Sequence, residues 1–480
     1  MFPSELSPPA RNRPELLDEF PMLIGAGNPQ PRVLGECLDV LSTLHRFGTE
    51  VAPFVEPLDT TSAKSWDEAL EKVLELACRH RVFSLAIPKS LGGSGCSILA
   101  LSIGLEHLSR LCAGIANLIA AHGLALAVVG ATGQLRVLRT LAQLIVEGER
   151  TGKAFLLATA ATEPSAGSDL ENFEALGRGQ LQSHADRIDG DFALFGRKIY
   201  VSNGHIASAF IVLMPTSRTH ARETLSAFLV YAGARGLSVT RVEEKLGQRA
   251  CPAAELEFDN CRVSEQCRLN DTSVAGRTLD LVLGASRATV GAFGAGIARG
   301  VFETSRQLAG QMRSADGLTL AEHPRGQVIL ARMWNHATLA RHAYVGAVQV
   351  QRRLGLVSLM ESEPLRALDR LVPSRVTQGV LADKLLSWSG LDRGARRNLA
   401  HLNGKGVALA SAYGSAAKIC TSEFALENCE LATELLGIEA TLESTGLPKY
   451  WRDARLLKIY EGTNEICSLD VAQKLQDLLA

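Results

Sequence analysis

Between Leu34 and Glu149 apolar residues recur with helical spacing. In "LSIGLEHLSRLC", for example, Leu101, Leu105, Leu108 and Cys112 fall on one face. The glycine-rich stretch "IPKSLGGSG" (87–95) interrupts that run and predicts a loop. Near residue 155 the period changes. "RIDGDFALFGRKIYVSNG", "AFIVLM", "LSAFLVYAG", "LSVTRVE" and "AELEFDNCRV" are short β-rich runs separated by turn residues such as Asp189-Gly190. They do not alternate with helices, so an antiparallel sheet or barrel is expected rather than a doubly wound parallel sheet. From about Gly276 onward the long helical pattern returns, and no internal repeat is visible.

The pattern therefore predicts a mainly α protein with a central antiparallel β-barrel. The expected parts are an irregular extension over 1–35, where proline recurs at 3, 8, 9, 14, 21, 29 and 31, and a helical domain over 36–157. A β-barrel domain over 158–274 and a helical bundle over 275–480 follow. Over about 355–405 the helical pattern is broken by Pro364 and Pro373, and its spacing suits one or two additional helices.

Composition narrows the function. The chain has 480 residues, 46% hydrophobic, with 50 basic and 51 acidic side chains intermingled. No basic stripe marks a nucleic-acid or anionic-membrane partner, so a small substrate is expected. The ten cysteines lack both C-x-x-C pairs and zinc-like spacing, which suits reduced thiols in a cytoplasmic protein and no metal site. The most membrane-like stretch, 116–135, contains Asn117 and His122 and reads as a buried helix rather than a membrane insertion.

Several short motifs carry candidate chemistry. In "TEPSAGSDL" (162–170) small residues allow backbone N–H groups to approach an anion, while Thr162 and Ser168 offer hydroxyls; alone, the stretch reads first as a simple turn. "KIYVSNG" (198–204) sets Tyr200 two residues before Ser202, and Arg287 opens a small-residue helix. In "RDARLLKIYEGTNEI" (452–466), Thr463 or Asn464 can cap the last helix and Glu465 suits its first turn. Glu461 precedes the cap and has no such explanation.

In this order and at these separations, the segments resemble the acyl-CoA dehydrogenase family, from about Leu34 to Leu479. "IPKSLGGSG", "TEPSAGSD", "KIYVSNG", "EEKLGQRACPAAELEFDNCRV", "RDAR" and "IYEGTNEI" carry the likeness. The resemblance implies a helical domain, a β-barrel and a four-helix bundle, assembled as a homotetramer or homodimer with FAD between subunits. It implies that Thr162, Gly167 and Ser168 line the flavin, that Tyr200 stacks on it and that Ser202 bonds near its N5. Arg313 would contact the partner subunit's FAD, Gly437 and Thr463 would approach the dinucleotide's other half, and Ser168 and Arg287 would face the substrate.

Glu461 matches the family's catalytic base. The implied reaction is α,β-dehydrogenation of an acyl thioester, on CoA or on an acyl carrier protein, by an FAD-dependent oxidoreductase acting on CH–CH groups. Electron-transfer flavoprotein or oxygen would accept the electrons. An acyl-CoA oxidase and a non-catalytic scaffold of the same fold are the competing expectations. The chain departs from the family pattern at Ala315-Asp316, where a Thr-Phe pair is common, and at Gly437-Ile438, where Gly-Gly is usual. It departs again at Gly284, where an acid is common, and in the extra segment around 355–405.

Overall fold

The computed structural model describes residues 31–59, 63–167, 181–221, 223–270, 275–362 and 404–479, together with residues 369, 392, 397, 399 and 402. Helices α1 (Pro31–Val51), α2 (Ala63–Arg79), α3 (Ile98–Ala131) and α4 (Leu135–Thr151) form the first layer. In α2, Ala69, Leu70, Val73, Leu76 and Ala77 are buried at helical spacing, while the intervening Glu68 and Glu71 face solvent. Helix α1 starts at Pro31, inside the expected irregular extension, because proline at a helix's first position gives up no bond. Residues 1–30 lie outside the described residues.

All five β-rich runs become strands, preceded by a short β1 (Leu157–Ala160). Strands β2 (His184–Ile188) and β3 (Asp191–Ser202) form a hairpin whose two turn residues, Asp189 and Gly190, have φ of 54° and 89°. Both central residues are left-handed, as the twist of a two-residue hairpin demands. Next come β4 (Ala209–Pro215), β5 (Leu225–Tyr231), β6 (Leu237–Val242) and β7 (Ala253–Val263).

The expected closed antiparallel barrel is not what these strands build. They form a three-stranded sheet, β1-β4-β5, and a four-stranded sheet, β2-β3-β7-β6; β1 runs parallel to β4. Among the described residues only the isolated bridge Phe228–Arg268 leads out of the smaller sheet. Strand β4 gives the physical reason, since all seven of its residues are buried. Phe210, Val212 and Met214 pack in a core between the sheets, whereas Ala209, Ile211 and Leu213 join the helical core on the opposite face. The smaller sheet is a middle layer.

The C-terminal part packs α5 (Ala275–Gln311), α6 (Pro324–Leu354) and α7 (Gly404–Leu436) against one another, with α8 (Leu447–Leu457) and α9 (Asn464–Leu479) on α7. Helices α5 and α7 meet through small residues: a Cβ on Gly414 would come within 2.3 Å of the Gly284 carbonyl oxygen. Gly284 is therefore a packing position. Two helices, α3 and the Leu281–Gln311 part of α5, are long and apolar enough to cross a membrane, but 61% and 89% of their most apolar windows are buried inside the protein.

The extra segment over about 355–405 lies largely outside the described residues. Its described carboxylates reach the N-terminal helices. Ile98 N–H donates to Glu361 Oε1 at 2.6 Å, Ser90 N–H to Asp369 Oδ1 at 2.8 Å and Leu135 N–H to Asp392 Oδ1 at 3.2 Å. Each carboxylate thus occupies the start of a helical turn, where N–H groups lack partners within their own helix.

Candidate active site

Helix α8 ends at Leu457 and α9 begins at Asn464, so six residues reverse the chain. Asn464 N–H closes this turn on the Lys458 carbonyl at 3.0 Å. Thr463 supplies the cap, its Oγ1 accepting from Ile466 N–H at 3.3 Å. Within the turn Glu461 has φ of 53°, a left-handed conformation that costs a non-glycine residue about 1–2 kcal/mol. Such strain survives only where neighbours hold it.

Those neighbours come from three helices. From α5, Arg287 Nε donates to the Glu461 carbonyl at 3.0 Å. From α7, Lys418 Nζ donates to the Gly462 carbonyl at 2.6 Å and to Asn464 Oδ1 at 2.8 Å. From α9, Cys467 Sγ lies 3.7 Å from the Glu461 carbonyl. Arg287 is itself fixed, its Nη1 bonded to Ser415 Oγ at 3.0 Å and paired with Asp470 at 3.2 Å.

The Glu461 side chain points at Ser286, whose hydroxyl lies 2.6 Å from Oε2. Burial pushes the carboxyl pKa above its ordinary value, opposed by the Ser286 hydrogen bond and by the charges of Arg287 and Lys418. The Glu461 backbone N–H makes no hydrogen bond among the described residues. The arrangement is a stiffly held, partly desolvated base beside an unused donor.

A second group of predicted residues lies where β1 leads into β3. Ile199 N–H donates to the Thr162 carbonyl at 2.9 Å, fastening the loop to the strand. Glu163, next in the loop, is 2% exposed; it accepts from Lys198 Nζ at 2.7 Å and from Gln182 N–H at 2.7 Å, and Ser183 Oγ donates to it as well. Burial pushes the Lys198 pKa down, opposed by the Glu163 charge. Gly167 continues the loop, and Ser168 lies outside the described residues.

At Tyr200 the β3–β7 register slips, its φ is 54°, and the ring is 61% exposed. An aromatic held outward by a strained backbone offers a flat face that fits a flat heteroaromatic group such as a flavin.

The loop 245–252 ties this group to the Glu461 turn. Asn203, just after β3, donates its N–H to the Pro252 carbonyl at 2.7 Å and its side-chain amide to the Leu118 carbonyl of α3 at 2.8 Å. Gln248 Oε1 accepts from Asn117 Nδ2 at 3.1 Å and from Tyr460 Oη at 3.2 Å. Its Nε2 donates to the Asp453 carbonyl at 2.9 Å. Burial raises the Tyr460 pKa well above its ordinary value, so the phenol is a donor here.

The structure thus brings Glu461, Thr463 and Arg287 into one network, and Gln248 connects it to the Ser202 end of β3. Arg287, expected to face the substrate, is 1% exposed and bonds to the Glu461 carbonyl, Ser415 and Asp470. Arg313 and Gly437 lie elsewhere. Arg313 follows α5 and bonds to the Gly317 carbonyl at 2.6 Å; Gly437, with φ of 63°, follows α7 beside the 73% exposed Ile438. At 1.5 Å rise per residue, these helix ends stand about 36 Å and 27 Å from the Arg287 and Lys418 positions. The sequence reading missed the roles of Ser286, Lys418 and Gln248. The only signal for the first was its place before Arg287; a lysine within the apolar "SAAKIC" could have flagged the second.

Three comparisons bear on this geometry. Sequence profiles described as acyl-CoA dehydrogenase N-terminal, middle and C-terminal domains match residues 38–146, 158–261 and 363–476. The chain is 27% identical over 430 residues to a cyclohex-1-ene-1-carbonyl-CoA dehydrogenase of Geobacter metallireducens, covering 89% of this chain and 94% of that one. Among solved structures it resembles the butyryl-CoA dehydrogenase of Megasphaera elsdenii, with a TM-score of 0.69 at 21% identity over 92% and 98% of the two chains. It also resembles a prolyl acyl carrier protein oxidase, with a TM-score of 0.66 at 22% identity over 90% and 99%.

Proposed function

Because the chain belongs to the acyl-CoA dehydrogenase family of FAD-dependent oxidoreductases acting on CH–CH bonds, we propose that it dehydrogenates an acyl thioester at Cα–Cβ with Glu461 as the base. FAD is the cofactor. The observation that carries the reading is the Glu461 carboxyl: partly desolvated, held by a strained turn, and fastened through α5, α7 and α9.

Glu461 removes the α-proton, and the C–H electron pair becomes the new double bond as a hydride leaves Cβ. When bound, FAD supplies the two-electron acceptor, with N5 as the receiving atom. The Glu461 backbone N–H is available to the thioester oxygen, where negative charge develops. Thr162, Gly167, Ser168, Tyr200 and Ser202 would hold the ring, and Thr463 would stand beside the base. Arg287 acts on the turn rather than on substrate. Arg313 and Gly437 lie toward the ends of α5 and α7 away from the base turn, so any flavin contact they make is proposed to come across a subunit interface in a homo-oligomer.

The thioester is carried by CoA or by a carrier protein, and electron-transfer flavoprotein or oxygen completes turnover. Anaerobic mixing with a panel of CoA and carrier-protein thioesters, following the flavin absorbance, tests the reading. Glu461→Gln is expected to slow bleaching by at least about a hundredfold. Bleaching that survives this substitution removes Glu461 from its role.

A further inference from the structure

Ser286 sits on α5 beside the turn that carries the proposed base, and its hydroxyl has two partners within reach. Oε2 of Glu461 lies 2.6 Å from its Oγ and the Leu283 carbonyl oxygen 3.2 Å. A hydroxyl has one hydrogen and two lone pairs, so it cannot donate to both oxygens at once, but it can donate to one and accept from the other group. A carboxylate only accepts, whereas a carboxylic acid also donates. We propose that Ser286 is a positioning residue that serves both protonation states of Glu461. It donates to Oε2 while the carboxylate is charged; once the carboxyl has taken a proton, it accepts from Oε2 and turns its own hydrogen to Leu283.

The inference rests on the reading of Glu461 as the base, and it explains how that side chain keeps one orientation on both sides of the proton transfer. Without such a partner, a partly desolvated acid would lose its hydrogen bond on changing state, a penalty borne within the reaction itself. Glu461 Oε1 has no hydrogen bond among the described residues, so the switching falls to Oε2. Among the described residues, the other ionisable groups around the turn are Arg287 on α5, Lys418 and Glu423 on α7, Lys458 and Tyr460 in the turn, and Cys467 and Asp470 on α9. Arg287, Lys418 and Cys467 bond to carbonyl oxygens of the turn, and Ser286 bonds to the carboxyl itself.

The test compares Ser286→Ala, Ser286→Val and Ser286→Thr in the FAD-loaded protein. With 13C-labelled glutamate, the infrared carboxyl band that vanishes in Glu461→Gln reports the protonation of this one group across pH, without any substrate. The expected result is that both the charged and the protonated carboxyl bands of Glu461 shift in the Ala and Val variants, since each state loses its hydrogen bond, and that both return in Thr, whose hydroxyl can occupy the same place. Where a thioester bleaches the wild-type flavin, Ala and Val should also bleach about tenfold more slowly, and Thr should not. A band that stays unmoved in either protonation state in Ala and Val, or that shifts equally in Thr, overturns the inference. Bleaching that persists in Glu461→Gln would sink the base assignment, while the infrared result would still report on the hydrogen bond.

Discussion

Glu461 occupies backbone space that glycine prefers, and the strain has a measurable sign. Glu461→Gly should remove both the left-handed penalty and the buried carboxyl. The variant is therefore expected to melt at or above the wild-type temperature, despite glycine's entropic cost of about 0.5–1 kcal/mol, while flavin bleaching is lost. Thermal melting beside anaerobic reduction checks this, and a large fall in stability would mean that the side chain holds the turn.

The same residue sets a pH dependence. Burial raises its pKa above the ordinary glutamate value, so flavin reduction should grow with pH through a midpoint above the usual carboxylate range. Stability moves in the opposite direction. In that window the native state still holds a proton that the unfolded chain has released, so wild type should lose stability relative to Glu461→Gln as pH rises. Melting curves of the pair across pH read the difference directly.

At the scale of elements, the carboxylates of Glu361, Asp369 and Asp392 sit at starts of helical turns far earlier in the chain. A side-chain cap contributes about 1 kcal/mol. Asp392→Ala should therefore destabilise the protein by about that amount, since Gln134, the N-cap of α4, makes no capping side-chain bond of its own. Glu361→Ala should cost more, because it also strands Arg352, whose Nε donates to the same carboxylate at 2.8 Å. Denaturant titrations that show no change would make these contacts incidental. The strands themselves were legible, since period-two runs and the Asp189-Gly190 turn are local signals. How the strands divide between two sheets was not: the β1–β4 pair joins residues about fifty apart, and only burial of both faces of β4 explains it.

For the whole molecule, Gln248 is the junction. It touches α3 through Asn117, α8 through Asp453 and the base turn through Tyr460, and its own φ is 49°. Gln248→Ala would leave the buried Tyr460 hydroxyl and the Asn117 amide without this partner. It is expected to lower thermal stability by about 2 kcal/mol and to slow flavin reduction with little change in FAD content. Loss of FAD without an effect on rate would place the residue on the cofactor side instead. The candidate site was legible as motifs, because Glu461, Thr162 and Tyr200 stand in distinctive local strings. Their supports were not, because Ser286 and Glu461 are 175 residues apart and a serine in a small-residue helix carries no signal of its partner.

The capping carboxylates also impose an order on biosynthesis. Ile98, Ser90 and Leu135 wait for acceptors that lie 263, 279 and 257 residues downstream. At ribosomal speeds of about 5–20 residues per second, the first helices spend roughly 13 to 56 s before these acceptors are made. Nascent chains halted before residue 361 should therefore present these turns to a chaperone or a protease, and release should seal them.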